Sequence, residues 1–174
     1  MTQLFMVHPT PGHAPAPPTL PPEWSLRPAT DADVSGLAEL LTEAFEETWT
    51  VERVRGALTD APDVVRTWVV ADEQGLVGTA SERLHELHPD AGYVHWVGVR
   101  ERARGHALGY SLTYACLRGF VERGFARAVL ETDDFRVPAI RTYLRLGFIP
   151  EYRNELERRT WSQVVRGLSS GRPA

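Results

Sequence analysis

The stretch Val97-Gly-Val-Arg-Glu-Arg-Ala-Arg-Gly-His-Ala-Leu-Gly109 carries the residues best suited to chemistry. It passes from a β-branched run through an arginine-rich loop into small residues that open a predicted helix. A helix start leaves about four backbone N–H groups without partners and carries partial positive charge. Gly105, Ala107 and Gly109 let a ligand approach that backbone, and the combination suits a pyrophosphate. Arg100, Arg102 and Arg104 add charge within reach of a further phosphate. A solvated loop with chance glycines is the alternative that spacing alone leaves open. No Gly-Lys-Ser/Thr follows, so this is not a Walker loop, and the dinucleotide pattern G-x-G-x-x-G does not fit either.

Three groups on predicted strands are candidates for moving a proton. His95 lies in the most aromatic and β-branched run and titrates near neutrality. Glu131 sits near the end of a later strand and needs burial to become basic. Glu82 lies on the strand before His95. Each is equally readable as an ordinary exposed or satisfied strand residue. Asp133 and Asp134 suit a cationic substrate or a plain acidic turn. His85-x-x-His88 has the spacing of a metal pair but no obvious third ligand, so a solvated loop is expected and no metal. Cys116 falls on the apolar stripe of a helix, as a core thiol would.

The elements that must position these groups are legible in outline. Residues 24–27 alternate as a strand that ends at Pro28. Thr30 and Asp33 form a capping box for a helix whose apolar face is Val34, Leu37, Ala38, Leu41, Ala44 and Phe45. A second helix covers residues 51–58. Strands follow over 64–71 and 76–84 around a turn at 72–75, then a polar loop at 85–92. In the strand 93–99, Tyr93, His95, Val97 and Val99 share one face, and Val94, Trp96 and Gly98 the other. A long helix runs to about residue 123 and Gly124 closes it. A strand covers 126–132. A helix with Pro138 in its first turn ends at Gly147, and a closing pair of strands is expected at 148–152 and 155–161. The order describes one mixed α/β domain at residues 24–162. Residues 1–23 are proline-rich and expected to be a flexible segment outside the core, and residues 163–174 a tail.

With 174 residues, the chain is long enough for a core without staples. A net charge of −4 supplies no basic field for nucleic acid or an anionic membrane surface. One cysteine excludes an internal disulfide framework and suits a reducing cytoplasm. No apolar run approaches the ~20 residues that span a bilayer, and the first residues lack the pattern of a secretory signal.

Taken together, residues 97–109 resemble the acyl-CoA-binding motif of the GCN5-related N-acetyltransferases (GNAT). That motif is an Arg or Gln, two residues, Gly, one residue, then Gly or Ala. Here it reads Arg104-Gly-His-Ala107-Leu-Gly109, with alanine at the first required glycine. Residues 131–148 resemble the family's late strand and the helix that ends in Tyr-x-x-x-Gly-Phe, here Tyr143 to Phe148. Many members have Asn about three residues before the alanine Ala139, where this chain has Arg136. Residues 26–33, Leu-Arg-Pro-Ala-Thr-Asp-Ala-Asp, resemble the opening strand and helix cap.

The resemblance implies an acyl-CoA N-acyltransferase fold, a mostly antiparallel mixed sheet flanked by helices that splays near its centre. Acetyl-CoA is the implied acyl donor. Its pyrophosphate would rest on Arg104, Gly105, His106, Ala107, Leu108, Gly109 and Tyr110. Its pantetheine would pair with backbone groups of Val97 and Val99, with Gly98 allowing a bulge and Arg136 near the arm. The implied reaction is direct attack of a primary amine, on a small molecule or peptide, upon the thioester. Tyr143 would protonate the leaving thiolate, and Glu131 or His95 would serve as base. Acceptor choice would be set by residues 44–60 and 85–92, and dimers are common in the family. A CoA-binding or ligand-sensing domain that keeps the fold without catalysis is the alternative, and Ala107 and Arg136 speak for it.

Overall fold

Two residues start the first long helix. The Thr30 N–H donates to Asp33 Oδ2 at 2.7 Å, and Arg27 grips the same carboxylate with two bonds of 2.7 and 2.8 Å. These bonds hold the Asp33 carboxyl at about 2, with Arg27 the largest influence. Helix α1 (Val34–Phe45) then buries Val34, Leu37, Ala38, Leu40 and Leu41. Thr50 caps a short α2 (Val51–Val54), which runs on through one wide turn, Arg55–Thr59.

In this computed structural model, which describes residues 2–170, seven strands form one sheet. They are β1 (Gln3–His8), β2 (Ser25–Pro28), β3 (Val64–Asp72), β4 (Gly75–Leu84), β5 (Ala91–Val99), β6 (Arg127–Asp133) and β7 (Ile149–Glu151). Their order is β2-β3-β4-β5-β6-β1-β7, and only β5 and β6 are parallel. Helices α3 (Leu108–Glu122), α4 (Val137–Leu146) and α5 (Glu155–Ser170) complete the domain. One core cluster joins α3, α4 and Trp161 of α5 to the rear of the sheet, through Leu4, Met6, Val94 and Leu130. A second joins α1 and α2 to the front, through Val69 and Leu76. The front of β1, β5 and β6 carries a third cluster of Phe5, Val7, Ala91, Tyr93 and Val129. No helix among the described residues is long and apolar enough to cross a membrane.

Two expectations are corrected. Residues 1–23 are not all outside the core: Gln3–His8 is an inner strand, paired with β6 on one side and β7 on the other, and Leu4, Phe5 and Met6 are fully buried. Residues 155–161 are helical, not a strand. Asn154 Oδ1 accepts the Glu157 N–H at 2.9 Å and Glu157 reaches back to the Arg153 N–H at 3.0 Å, a reciprocal cap that starts α5. The tail expected from residue 163 is continuous with that helix, and its last four residues lie outside the described ones.

Candidate functional site

The sheet opens where the sequence places the chemistry. β5 and β6 pair from Ala91↔Arg127 to Val94↔Leu130, and beyond that the two strands part. The edge of β5 facing β6 therefore carries no strand pairing from His95 onward. A bulge lies at the same point. Thr79 pairs with Gly98 and Ser81 with His95, so Ala80 faces two residues, Trp96 and Val97. Trp96 takes φ +49°, a left-handed conformation unusual for a bulky side chain.

This bulge corrects two expectations. Gly98 is not its site: a Cβ there would lie 3.1 Å from Ala44 and 3.3 Å from Phe45, so glycine lets α1 approach β5. Nor do Tyr93, His95, Val97 and Val99 share one face. The extra residue sends Val97 and Val99 to the rear cluster and Trp96 to the front, against Phe45 and Trp49.

After β5 the chain turns through residues 100–107 into α3. Two of the three loop arginines are held by carboxylates, Arg100 by Glu39 and Glu43, and Arg102 by Asp72. Arg104 has no carboxylate partner among the described residues. Gly105 at φ +86° and Ala107 at φ +56° turn the backbone, and no side chain caps α3. The first helical bond runs from Ser111 N–H to Ala107 O at 3.0 Å. The preceding amides thus meet the general case of an open helix start. The space where Cβ atoms of Gly105 and Gly109 would point is open to 4 Å. Sequence reasoning missed Arg145, whose guanidinium lies 5.8 Å from the Tyr110 ring and has no carboxylate partner among the described residues. Its position in the last turn of α4, two residues before the Gly147 stop, was the available signal.

A family model described as the acetyltransferase (GNAT) family matches residues 34–148, about two thirds of the chain. The chain belongs to the GNAT family. A mycothiol acetyltransferase of Arthrobacter sp. is 42% identical over 64 residues, covering 37% of this chain and 20% of that protein. Its counterpart in Nocardia farcinica is 37% identical over 98 residues, covering 54% of this chain and 28% of that one. The chain thus spans less than a third of the length of either relative. A solved GCN5-related N-acetyltransferase from Sphaerobacter thermophilus superposes with a TM-score of 0.68 over 86% of this chain and 48% of its own, at 22% identity, which shows the shared fold.

Within this GNAT domain the remaining candidates fall on two sides of the parted strands. Tyr143 lies in the rear cluster, 6% exposed, with its ring 6.0 Å from that of Phe148. Burial pushes its phenol well above the ordinary tyrosine range, so it holds its proton at all physiological pH. His95 and Glu131 extend the front face. Burial, with repulsion from Arg83, lowers the His95 imidazole to about 4, and its Nδ1 is buried without a partner among the described residues. Glu131 Oε2 accepts from Tyr93 Oη at 3.1 Å, and Oε1 accepts from Arg153 at 2.6 Å. Arg136 is placed across the mouth of the gap. It pairs with Asp133 at 3.3 Å and lies 4.5 Å over the Phe45 ring of α1.

Glu82 is not brought to the gap. It is fully buried on the rear face, accepting from Trp68 Nε1 at 2.7 Å, between Arg66 and Arg123 and against Gly119. His85 and His88 join aromatic packing rather than each other alone: His85 stacks on Tyr93 at 5.2 Å and His88 on Phe5 at 5.0 Å. The front wall of the gap is an aromatic row of Tyr93, His95, Trp96, Trp49 and Phe45, with neighbouring rings 4.6 to 5.7 Å apart. Sequence reading missed this wall because the bulge reverses Trp96.

Proposed function

We propose that the protein transfers an acetyl group from acetyl-CoA to a primary amine of a small molecule or peptide. The observation that carries this reading is the parting of β5 from β6 beside an uncapped, glycine-lined start of α3. The diphosphate fits the N–H groups around Gly105–Tyr110, with Arg104 and Arg145 supplying charge. The pantetheine arm fits the unpaired edge of β5 at Val97 and Val99, as an added strand would. The family's activity and the printed names of the mycothiol acetyltransferase relatives support an acetyl donor and a small acceptor.

Reaction then follows from the two-sided arrangement. The neutral amine nitrogen attacks the thioester carbon from the front and forms the C–N bond. The carbonyl oxygen becomes an oxyanion, which a β5 amide near Val97–Val99 stabilises. Collapse breaks the C–S bond, and Tyr143 on the rear side gives its proton to the departing thiolate. The amine's surplus proton passes to His95, directly or through one water. His95 is neutral, and its Nδ1 has no hydrogen-bond partner among the described residues. Glu131, held by Tyr93 and Arg153, attracts the cationic amine, which gives its first proton to solvent water before the neutral nitrogen attacks.

A second reading, a CoA-binding domain without turnover, draws on Arg136 lying over Phe45 at the mouth of the gap. Incubating the protein with acetyl-CoA and a panel of amines separates the two. Thiol release with one added acetyl group on an amine supports transfer. Saturable acetyl-CoA binding with no thiol release on any amine supports the second.

A further inference from the structure

Residues 9–24, between β1 and β2, lie outside the stretch that matches the family at residues 34–148. Seven of these sixteen residues are proline, so the backbone is stiff and its course is set by few contacts. The segment crosses α3. The turn Pro11–His13 lies against the helix, with Gly12 near Val121, and Ala14, Leu20 and Trp24 pack on the rear cluster. Two further contacts reach the start of the helix. Tyr110 Oη donates to Pro15 O at 2.8 Å, and the Trp24 ring lies 4.9 Å from the His106 ring, tilted by 57°.

His106 stands between the two left-handed residues of the loop, Gly105 at φ +86° and Ala107 at φ +56°. Alanine is strained there, and α3 lacks a side-chain cap that would fix the turn. A loop of this kind is not held by its own preferences. His106 is exposed, and Trp24 is the ring it meets among the described residues.

We propose that residues 9–24 form a strap that braces the phosphate-binding loop, with Trp24 as the positioning residue and the Pro15 carbonyl as a second tie. This rests on the proposed function, in which the loop takes the diphosphate of acetyl-CoA. The strap keeps the loop in the shape that aims its amides at the ligand. Apparent affinity scales with the fraction of molecules already in that shape, so losing the brace weakens binding and leaves the chemical step alone.

Calorimetry with acetyl-CoA and steady-state kinetics on the full chain test this. Trp24→Ala is expected to weaken acetyl-CoA binding about 5- to 10-fold and raise its KM alike, with kcat and the acceptor KM within about two-fold of wild type. Trp24→Phe, which keeps a ring on His106, is expected to restore affinity to within about two-fold. An unchanged Kd in Trp24→Ala, or a loss confined to kcat, would overturn the brace. If Trp24→Ala loses its cooperative thermal transition, Tyr110→Phe decides. It removes only the hydroxyl on Pro15, and about 2- to 3-fold weaker binding is expected where unchanged affinity overturns the proposal. Wild-type protein that takes up no acetyl-CoA would instead bring down the proposed function and the brace with it.

Discussion

In the proposed reaction, Tyr143, His95 and Glu131 divide the work by their surroundings. Tyr143 is enclosed in the rear cluster and keeps its proton, which is what an acid for a thiolate needs. Tyr143→Phe is expected to lower kcat about 10²- to 10³-fold with little change in acetyl-CoA affinity, as single-turnover and binding measurements will show. His95→Ala is expected to lower kcat. Glu131→Gln is expected to act first on the acceptor KM, since in the proposed reaction its carboxylate attracts the amine rather than accepting its proton. The reverse pattern in steady-state kinetics would exchange their roles. His95 also marks stability. Its folded value of about 4 lies below the unfolded 6.5, so acid protonates the unfolded chain first. Stability is full above pH 6.5 and falls toward pH 4 by about 1.4 kcal/mol per unit from this group. Replacing His95 by Phe is expected to flatten that limb in a series of melts. His8 and His88, also lowered by burial, leave a residual slope.

At the scale of elements, α3 shows why part of the site was legible. The loop residues 104–109 are proposed to act through backbone amides, and glycine spacing records backbone geometry directly. Gly124 at φ +83° and Gly147 at φ +104° end α3 and α4 as their positions announce. Asp33 and Thr30 do the same for the start of α1. Trp96 gave no such sign, because its left-handed conformation is imposed by the bulge against β4 and not by a permissive residue. The face of every residue after it was therefore misassigned. The α5 cap Asn154-x-x-Glu157 was present in the sequence, and reading it would have replaced a strand with a helix. Two glycines separate binding from folding. Gly109→Glu points into open space, so it is expected to keep the melting temperature and abolish acetyl-CoA binding by placing negative charge at the phosphates. Gly119→Ala would set a Cβ 2.1 Å from Glu82 Oε1, so it is expected to cost about 1–3 kcal/mol in urea unfolding.

The whole molecule depends on a strand that local sequence conceals. β1 pairs Gln3 with Asp133 and His8 with Ala128, partners more than a hundred residues away, and among the described residues β7 has no strand partner besides β1. Its six residues lack alternation, since both faces are covered, and the proline run that follows reads as a leader. His8 then ties the strand to α4, with Nε2 2.8 Å from Leu146 O. Met6→Asp is expected to abolish the cooperative unfolding transition seen by circular dichroism, because it buries a charge between β6 and β7 with no partner. A folded Met6→Asp protein with wild-type stability would show that β1 is dispensable.

The central claim is that main-chain amides at the start of α3 receive the donor's diphosphate. A crystal structure of the protein with acetyl-CoA tests it most directly. Diphosphate oxygens about 3 Å from backbone nitrogens within residues 105–110, with the acyl arm entering between β5 and β6, are the result expected. A donor bound elsewhere, or a loop that stays empty at saturating acetyl-CoA, would contradict it.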